Sequence, residues 1–254
     1  MSLKKDAGIV LSTNVSQETD VILTLIGKTQ EKSKYRVKGI KKSKKRPIVA
    51  AEIGSYITLD YYQHEKNDVY NVKDISLSNR FSNIKSSYCG FLFIHYLCEL
   101  MNKMLPDGEK HIHSFELIYA MLTTIDKFSY NPLVLPFFKL KILYVNGLVG
   151  NDFVCHVCNV DVMAKSGVFI DAASFELTCS DCHSGNINFK SVVKLMDKIL
   201  KTNYKKALEE NIPILNIIQL DKILNEYIYS YLNKELKSHE IFYNSLGVNY
   251  EFTS

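Results

Sequence analysis

Three features of this 254-residue sequence predict an α+β fold in three parts. Short β-prone runs crowd the first eighty residues, long apolar runs of helical period fill most of the rest, and two Cys-x-x-Cys pairs interrupt the helices. Alternation with a period of two marks half-buried strands, and apolar residues recurring every three to four positions mark helices. Five short strands in about eighty residues, punctuated by Gly and Pro, fit a small barrel of the oligonucleotide-binding (OB) type. The expected organisation is an OB-fold barrel at 1–80, a helical domain from 81–152 and 187–242, an inserted four-cysteine ribbon at 153–186, and a flexible tail at 243–254.

The strands come first. Residues 7–15 are β-prone, and in Val21–Ile26 the residues Val21, Leu23 and Leu25 alternate with Ile22, Thr24 and Ile26. Tyr35–Ile40 alternates again: Tyr35, Val37 and Gly39 on one face, Arg36, Lys38 and Ile40 on the other. Tyr56–Tyr62 and Val69–Leu77 follow, separated by the polar turn Gln63–Asp68. In the former, Ile57, Leu59 and Tyr61 form the core face. Tyr56 and Tyr62 share the opposite face and are candidate platforms for base stacking, although tyrosine is also simply a good strand former. Gly27-Lys28-Thr29 looks like the end of a phosphate-binding loop, but Ile22 stands where its first glycine belongs, so nucleotide hydrolysis is excluded there.

From Ser82 the period becomes helical. Tyr88–Met104 is apolar almost all round, with a polar stripe of His95, Glu99 and Asn102, and Pro106-Asp107-Gly108 stops it. With four polar or charged residues between Tyr88 and Leu105, this run reads as a core helix and not a membrane span. Phe115–Ile125 and a helix opened by Pro132 and ending near Val145 come next. His111 and His113 read as surface residues without a role. After the cysteines, Val192–Leu200 and Ile214–Leu236 resume the helices, the latter placing Ile217, Leu220, Leu224, Tyr227 or Ile228, and Tyr231 on one stripe.

Cys155-x-x-Cys158 and Cys179-x-x-Cys182 flank twenty residues. Each pair on a tight turn aims two sulfurs at one point, and the chain between returns as a hairpin, so four thiolates converge on a structural Zn2+. Four thiolates leave no open coordination position for catalysis. The alternatives lack their own signatures. No secretory leader is evident that would favour disulfides, no single Cys-x-x-Cys opens a helix as in a redox protein, and the His-x-Glu and Pro-Cys-x-x-Cys of a zinc deaminase are missing. His156 and His183 read as solvated turn residues, with replacement of a cysteine as ligand the alternative, and Cys89 and Cys98 as buried free thiols. Reduced thiols and the lack of a span imply a cytoplasmic protein.

Net charge is +4 but uneven: Lys28–Arg46 holds ten Lys/Arg against Glu31, a local +9 on a body of −5. Such a segment is either a solvated loop or the address for a polyanion. Its candidate nucleic-acid contacts are Lys34, Arg36, Lys38, Lys41, Lys42, Lys44, Lys45 and Arg46. No catalytic constellation is evident, so a binding protein is expected and not an enzyme. An RNA-binding ribbon/OB module and a nucleic-acid enzyme stand as alternatives.

The order of parts resembles the RecO family of bacterial recombination mediators from Gly8 to about Phe242. The likeness is carried by Gly8–Leu11 with Glu18–Leu25, by Val37-Lys38-Gly39-Ile40-Lys41-Lys42, by Leu105–Glu109 and Leu143–Gly147, by the two cysteine pairs, and by Tyr231-Leu232 with Leu236-Lys237-Ser238. Asn159 departs from the glycine often found there, though Asn tolerates a left-handed turn. The resemblance implies a DNA repair and recombination protein of the RecF pathway, nucleoid-associated, that binds single- and double-stranded DNA and anneals complementary strands. It further implies partnership with RecR, recognition of the acidic tail of single-strand-binding protein, and indirect help in loading RecA. Some members of that family lack the cysteines, which agrees with a structural and not a catalytic zinc.

Overall fold

The computed structural model describes residues 2–63, 68–128, 133–183, 187–209 and 211–246. Most of the turn expected at Gln63–Asp68, Pro132, and the tail beyond residue 246 lie outside them. The chain forms two compact units, one of residues 1–129 with 235–254 and one of residues 130–234.

The first unit is built on a closed five-stranded barrel in the order β1-β2-β3-β5-β4: β1 Ser2–Val15, β2 Val21–Gly27, β3 Ser33–Val37, β4 Tyr56–Gln63 and β5 Val69–Asn79. All neighbours are antiparallel except β3 and β5. β1 begins five residues earlier than the β-prone run, because Ser2–Asp6 pairs with Gln63–Leu59. The barrel interior holds Val10, Leu23, Leu25, Tyr35, Val37, Ile57, Leu59 and Tyr61, as their alternation predicts, with the rings of Tyr35 and Tyr61 edge-on at 5.0 Å. The opposite faces of β1 and β2 are also buried, through Ile9, Leu11 and Ile26, where helices α2 (Tyr88–Met104) and α3 (Ile112–Phe128) cover them. This covering explains why both strands are apolar on both faces.

One face assignment differs. Ile40 is buried, not grouped with Arg36 and Lys38. β3 ends at Val37, and Gly39 at φ 65° turns the chain into a 3-10 turn at Ile40–Lys42 that points Ile40 inward. Burial of Ile40 drives the turn, and glycine accommodates the left-handed torsion.

A short helix α1 (Ser82–Lys85) leads into α2, whose Ser87 side chain accepts the Gly90 N–H at 3.0 Å as an N-cap. α2 is the unit's central helix, with Phe93, Ile94, Leu97, Cys98 and Met101 fully buried. Gly54, at φ 79°, brings the barrel against α2 so closely that a Cβ would collide with Ile94. Within the same unit, α8 (Lys237–Ser245) docks on α2 by stacking Phe242 on Tyr96 at 5.4 Å. The Glu99 carboxylate of α2 accepts the N–H groups of Lys237 and Ser238 at the start of α8. His111 is a correction: it is buried, with Nε2 2.9 Å from the Pro106 carbonyl, because it closes the loop between α2 and α3. His113 is exposed, as expected.

The second unit contains α4 (Val134–Val145), the hairpin β6–β7 (Val168–Asp171, Glu176–Cys179), α5 (Lys190–Lys201), α6 (Tyr204–Leu208) and α7 (Ile214–Leu232). α7 stops four residues before the predicted end, where Asn233 turns left-handed, and Tyr231 is exposed. Asp221 and Asn225 lie on the buried stripe of α7, and both accept from the fully buried Lys139 of α4 at 2.6 Å. Burial alone depresses the Lys139 pKa, and Asp221 opposes that shift. No described helix is long and apolar enough to cross a membrane.

Candidate nucleic-acid interface and metal centre

In the second unit the cysteine segment folds as two turns around a hairpin. In the first, Asn159 N–H reaches back to the Cys155 carbonyl at 2.8 Å and Asn159 takes φ 57°, the left-handed torsion asparagine tolerates. In the second, the N–H groups of Cys182 and His183 both donate to the Cys179 carbonyl at 3.1 Å. β6 pairs with β7 so that Val168 faces Cys179, which returns the second turn to the first.

The four Sγ atoms of Cys155, Cys158, Cys179 and Cys182 lie within 4.8 Å of one another, and those of Cys158 and Cys179 are 3.7 Å apart. A tetrahedral Zn–S bond of about 2.3 Å would place sulfurs about 3.8 Å apart, so the cluster fits zinc. All six cysteines are free thiols. Burial works against a thiolate at Cys155, but N–H donors from Cys158, Cys179 and Val157 together bring its pKa down to about 6. Cys182, which donates to Cys158 and Cys179, is pushed up to about 12. Four sulfurs that cannot share their charge comfortably suit a divalent cation at their centre. Lys165 is held charged by Asp181, 2.6 Å away, and by the nearby sulfurs of Cys179 and Cys158. The two histidines are engaged elsewhere: His156 Nδ1 lies 3.2 Å from Thr178 Oγ1, and His183 packs edge-on against Phe169.

The basic segment divides by role. Lys32 is buried: its ammonium donates to the carbonyls of Asn102 and Leu105 at 2.8 and 2.7 Å and pairs with Asp107 at 2.8 Å. It caps the C-terminal carbonyls of α2, where a cation is favoured. Lys34 sits 3.1 Å from the same Asp107, whose pKa the two lysines hold down against a burial effect of opposite sign. Arg36 is half-buried, and its Nε lacks a partner among the described residues.

Residues 38–46 form a loop fixed by its backbone. Asp20 accepts the Gly39 N–H at 2.9 Å, and Lys41 N–H reaches Thr19 at 3.3 Å. Arg46 closes the loop, donating to the Lys38 carbonyl at 2.9 Å and to the Lys73 carbonyl on β5 at 2.6 Å. Ser43 Oγ accepts the N–H groups of Lys45 and Arg46. Lys38, Lys41, Lys42, Lys44 and Lys45 are exposed, and no described carboxylate pairs with them. The structure thus groups six of the eight basic candidates on one ordered loop, five of them exposed, and engages Lys34 and Arg46 in internal contacts.

The aromatic candidates diverge as well. The Tyr56 ring packs 4.9 Å from Tyr119 and 6.1 Å from Phe115 of α3, inside an aromatic cluster. Tyr62 is half-buried near the end of β4, opposite Leu3 and Asn71. Asp20 and Asp107, which organise the basic segment, carried no sequence signal of that role, since each lies far along the chain from the groups it holds.

Residues 1–81 match the family described as Recombination protein O N terminal, and residues 87–240 match Recombination protein O C terminal. DNA repair protein RecO of Leptospira biflexa serovar Patoc is 34% identical over 247 residues, spanning 97% of this chain and 99% of that protein. DNA repair protein RecO of Thermoanaerobacter sp. (strain X514) is 26% identical over 251 residues, 96% and 98% of the two chains. The corresponding protein of Caldanaerobacter subterraneus subsp. tengcongensis is 26% identical over 253 residues, 94% and 97%.

Proposed function

Because the chain belongs to the RecO family of DNA repair proteins, with a role in recombinational repair, we propose that it binds single- and double-stranded DNA through the loop 38–46 and anneals complementary strands. In this reading it acts in the cytoplasm at the nucleoid. It helps load RecA onto strands covered by single-strand-binding protein, in concert with RecR and through the tail of the coating protein. The observation that carries it is a fixed loop with five exposed lysines that no described carboxylate pairs with, on an OB-like barrel.

Annealing breaks no bond, so the protein acts without catalysis. It brings two polyanions together, and lysines that displace condensed counterions lower strand–strand repulsion. Phosphate contacts carry no base information, so sequence preference is weak. Tyr62 is proposed as the stacking platform, since the Tyr56 ring is engaged by α3. Lys34 and Arg36 are proposed as flanking contacts, with Arg46 as the residue that shapes the loop. Zn2+ is proposed at the four thiolates as a purely structural ion, supported by their number and spacing.

Five phosphates neutralised on a single strand give a salt slope near −3.5, roughly a hundredfold loss of affinity between 50 and 200 mM salt. The test is fluorescence annealing of complementary strands precoated with single-strand-binding protein. Lys41→Glu, Lys42→Glu, Lys44→Glu and Lys45→Glu combined should abolish annealing, and unchanged annealing would sink the reading. Tighter binding to structured RNA than to DNA in direct competition would favour an RNA-binding module instead.

A further inference from the structure

We propose that α5 and α6 form a second site for a nucleic-acid strand, separate from the barrel loop and carried by the other compact unit. The inference rests on the reading that the chain handles nucleic acid. Residues 190–209 contain Lys190, Lys194, Lys198, Lys201, Lys205 and Lys206 against Asp197 and Glu209, an excess of four positive charges. The first four stand at helical positions i, i+4, i+8 and i+11, so they fall within about 80° of one face, with successive steps of about 6 Å or less. That regular spacing along about 16 Å suits the phosphates of one strand lying along the helix.

The opposite face of α5 is the apolar one. Val192, Val193, Leu195, Met196 and Ile199 are buried within the unit, and on the lysine face Lys194 and Lys201 are exposed while Lys190 and Lys198 are half-buried. The acid on that face is already neutralised, since Asp197 pairs with Lys201 at 2.8 Å. Asn203 caps α6 by accepting the Lys206 N–H at 2.9 Å, and this cap continues the track into the exposed Lys205 and Lys206. The start of the track is tied to the cysteine segment. Lys190 Nζ donates to the Lys165 carbonyl, and Phe189 N–H donates to Val168 at 2.8 Å.

Two other partners fit less well. A membrane-surface helix must expose its apolar face, and here that face is core. A peptide pocket needs apolar anchors among its charges, and no large apolar side chain is exposed among the described residues from 190 to 206. A helix lined with evenly spaced cations and lacking anchors is chemistry for a regularly charged polymer.

The test uses the full-length protein, labelled single-stranded oligonucleotides, and the combined variant Lys194→Gln, Lys201→Gln, Lys206→Gln. Glutamine keeps helix propensity, and circular dichroism with thiol titration checks the fold. Wild type should bind two strands and the triple variant one. At salt low enough for the triple variant still to take a second strand, the salt slope for that strand should be smaller in magnitude by about 2, three contacts at about 0.7 each. Acetylation footprinting should show Lys194 protected by the second strand. An unchanged stoichiometry and slope in the triple variant would overturn the α5 site and leave the barrel reading intact. A barrel-loop variant that loses no strand would do the reverse. Stronger capture of a poly-glutamate peptide than of oligonucleotide at equal salt, lost in the triple variant, would reassign the track to a protein partner.

Discussion

The loop 38–46 and the cysteine segment, the two surfaces proposed to gather a ligand, are held in opposite ways. In the loop, order comes from groups other than the lysines: Asp20 on Gly39, Thr19 on Lys41, and Arg46 across to Lys38 and Lys73. In the cysteine segment the four sulfurs that would hold the ion are themselves the closure between two turns and a hairpin. The loop's binding residues can therefore be changed without loss of structure. Those of the knuckle cannot.

The largest effect should follow removal of the proposed metal. Apparent binding energies of about 10–16 kcal/mol in small zinc modules exceed what a four-residue hairpin can supply alone. Chelation, or Cys155→Ser, should therefore disorder residues 153–183 and the start of α5, seen as fast amide hydrogen exchange. Exchange in the barrel strands should hold at its original rate. Slow exchange in the knuckle after complete metal removal would show that the hairpin stands by itself and erase the contrast.

Next in size is the buried pair of the helical unit. Removing one partner of a buried ion pair costs about 3–5 kcal/mol, because the other is left charged and unpaired. Asp221→Ala should thus lower stability by that order in denaturant unfolding, with DNA binding through the barrel loop unchanged. A loss below 1 kcal/mol would mean that Lys139 discharges at little cost, the direction in which burial already pushes it.

Asp6 gives a smaller effect with a pH signature. It is buried, Oδ1 accepts from Thr29 at 2.9 Å, and Oδ2 has no partner among the described residues. Burial raises its pKa above the ordinary carboxylate value, against opposing hydrogen bonds. The folded chain therefore holds its proton more tightly than the unfolded chain. The stabilisation is complete below the unfolded value and is lost as pH rises through the raised folded value. Asp6→Asn should flatten that dependence and raise stability by about 1–3 kcal/mol at a pH above the raised folded value. Parallel pH profiles for the two proteins would refute the assignment.

These contrasts also mark what could be read from sequence. The core face of β4 was legible because Ile57, Leu59 and Tyr61 obey a local period, and the convergence of the four cysteines because Cys-x-x-Cys spacing encodes a turn. Lys32 was not, since its burial depends on carbonyls at Asn102 and Leu105, seventy residues away. Nor was Ile40, whose direction is set by the torsion of one glycine, or Lys139, whose partners lie on another helix. Local periodicity and local chemistry reach the surface of an element; they do not reveal which distant group a charge will meet.

The smallest effect on stability belongs to the loop lysines. Exposed side chains with no carboxylate partner contribute within about ±0.5 kcal/mol, so Lys41→Gln, Lys42→Gln, Lys44→Gln and Lys45→Gln together should leave the unfolding midpoint nearly unmoved. The same four changes should cut the salt slope for single-stranded DNA by about 2.8, at 0.7 per phosphate contact. Arg46→Ala should behave differently, because it frees Lys38 and Lys73 carbonyls that the guanidinium now holds. It should speed exchange across residues 38–46 while shifting the slope by no more than one contact. If Arg46→Ala instead reduced affinity as much as the four glutamines and left exchange unaltered, Arg46 would be a phosphate ligand, and the separation between the residues that shape this loop and those that bind through it would disappear.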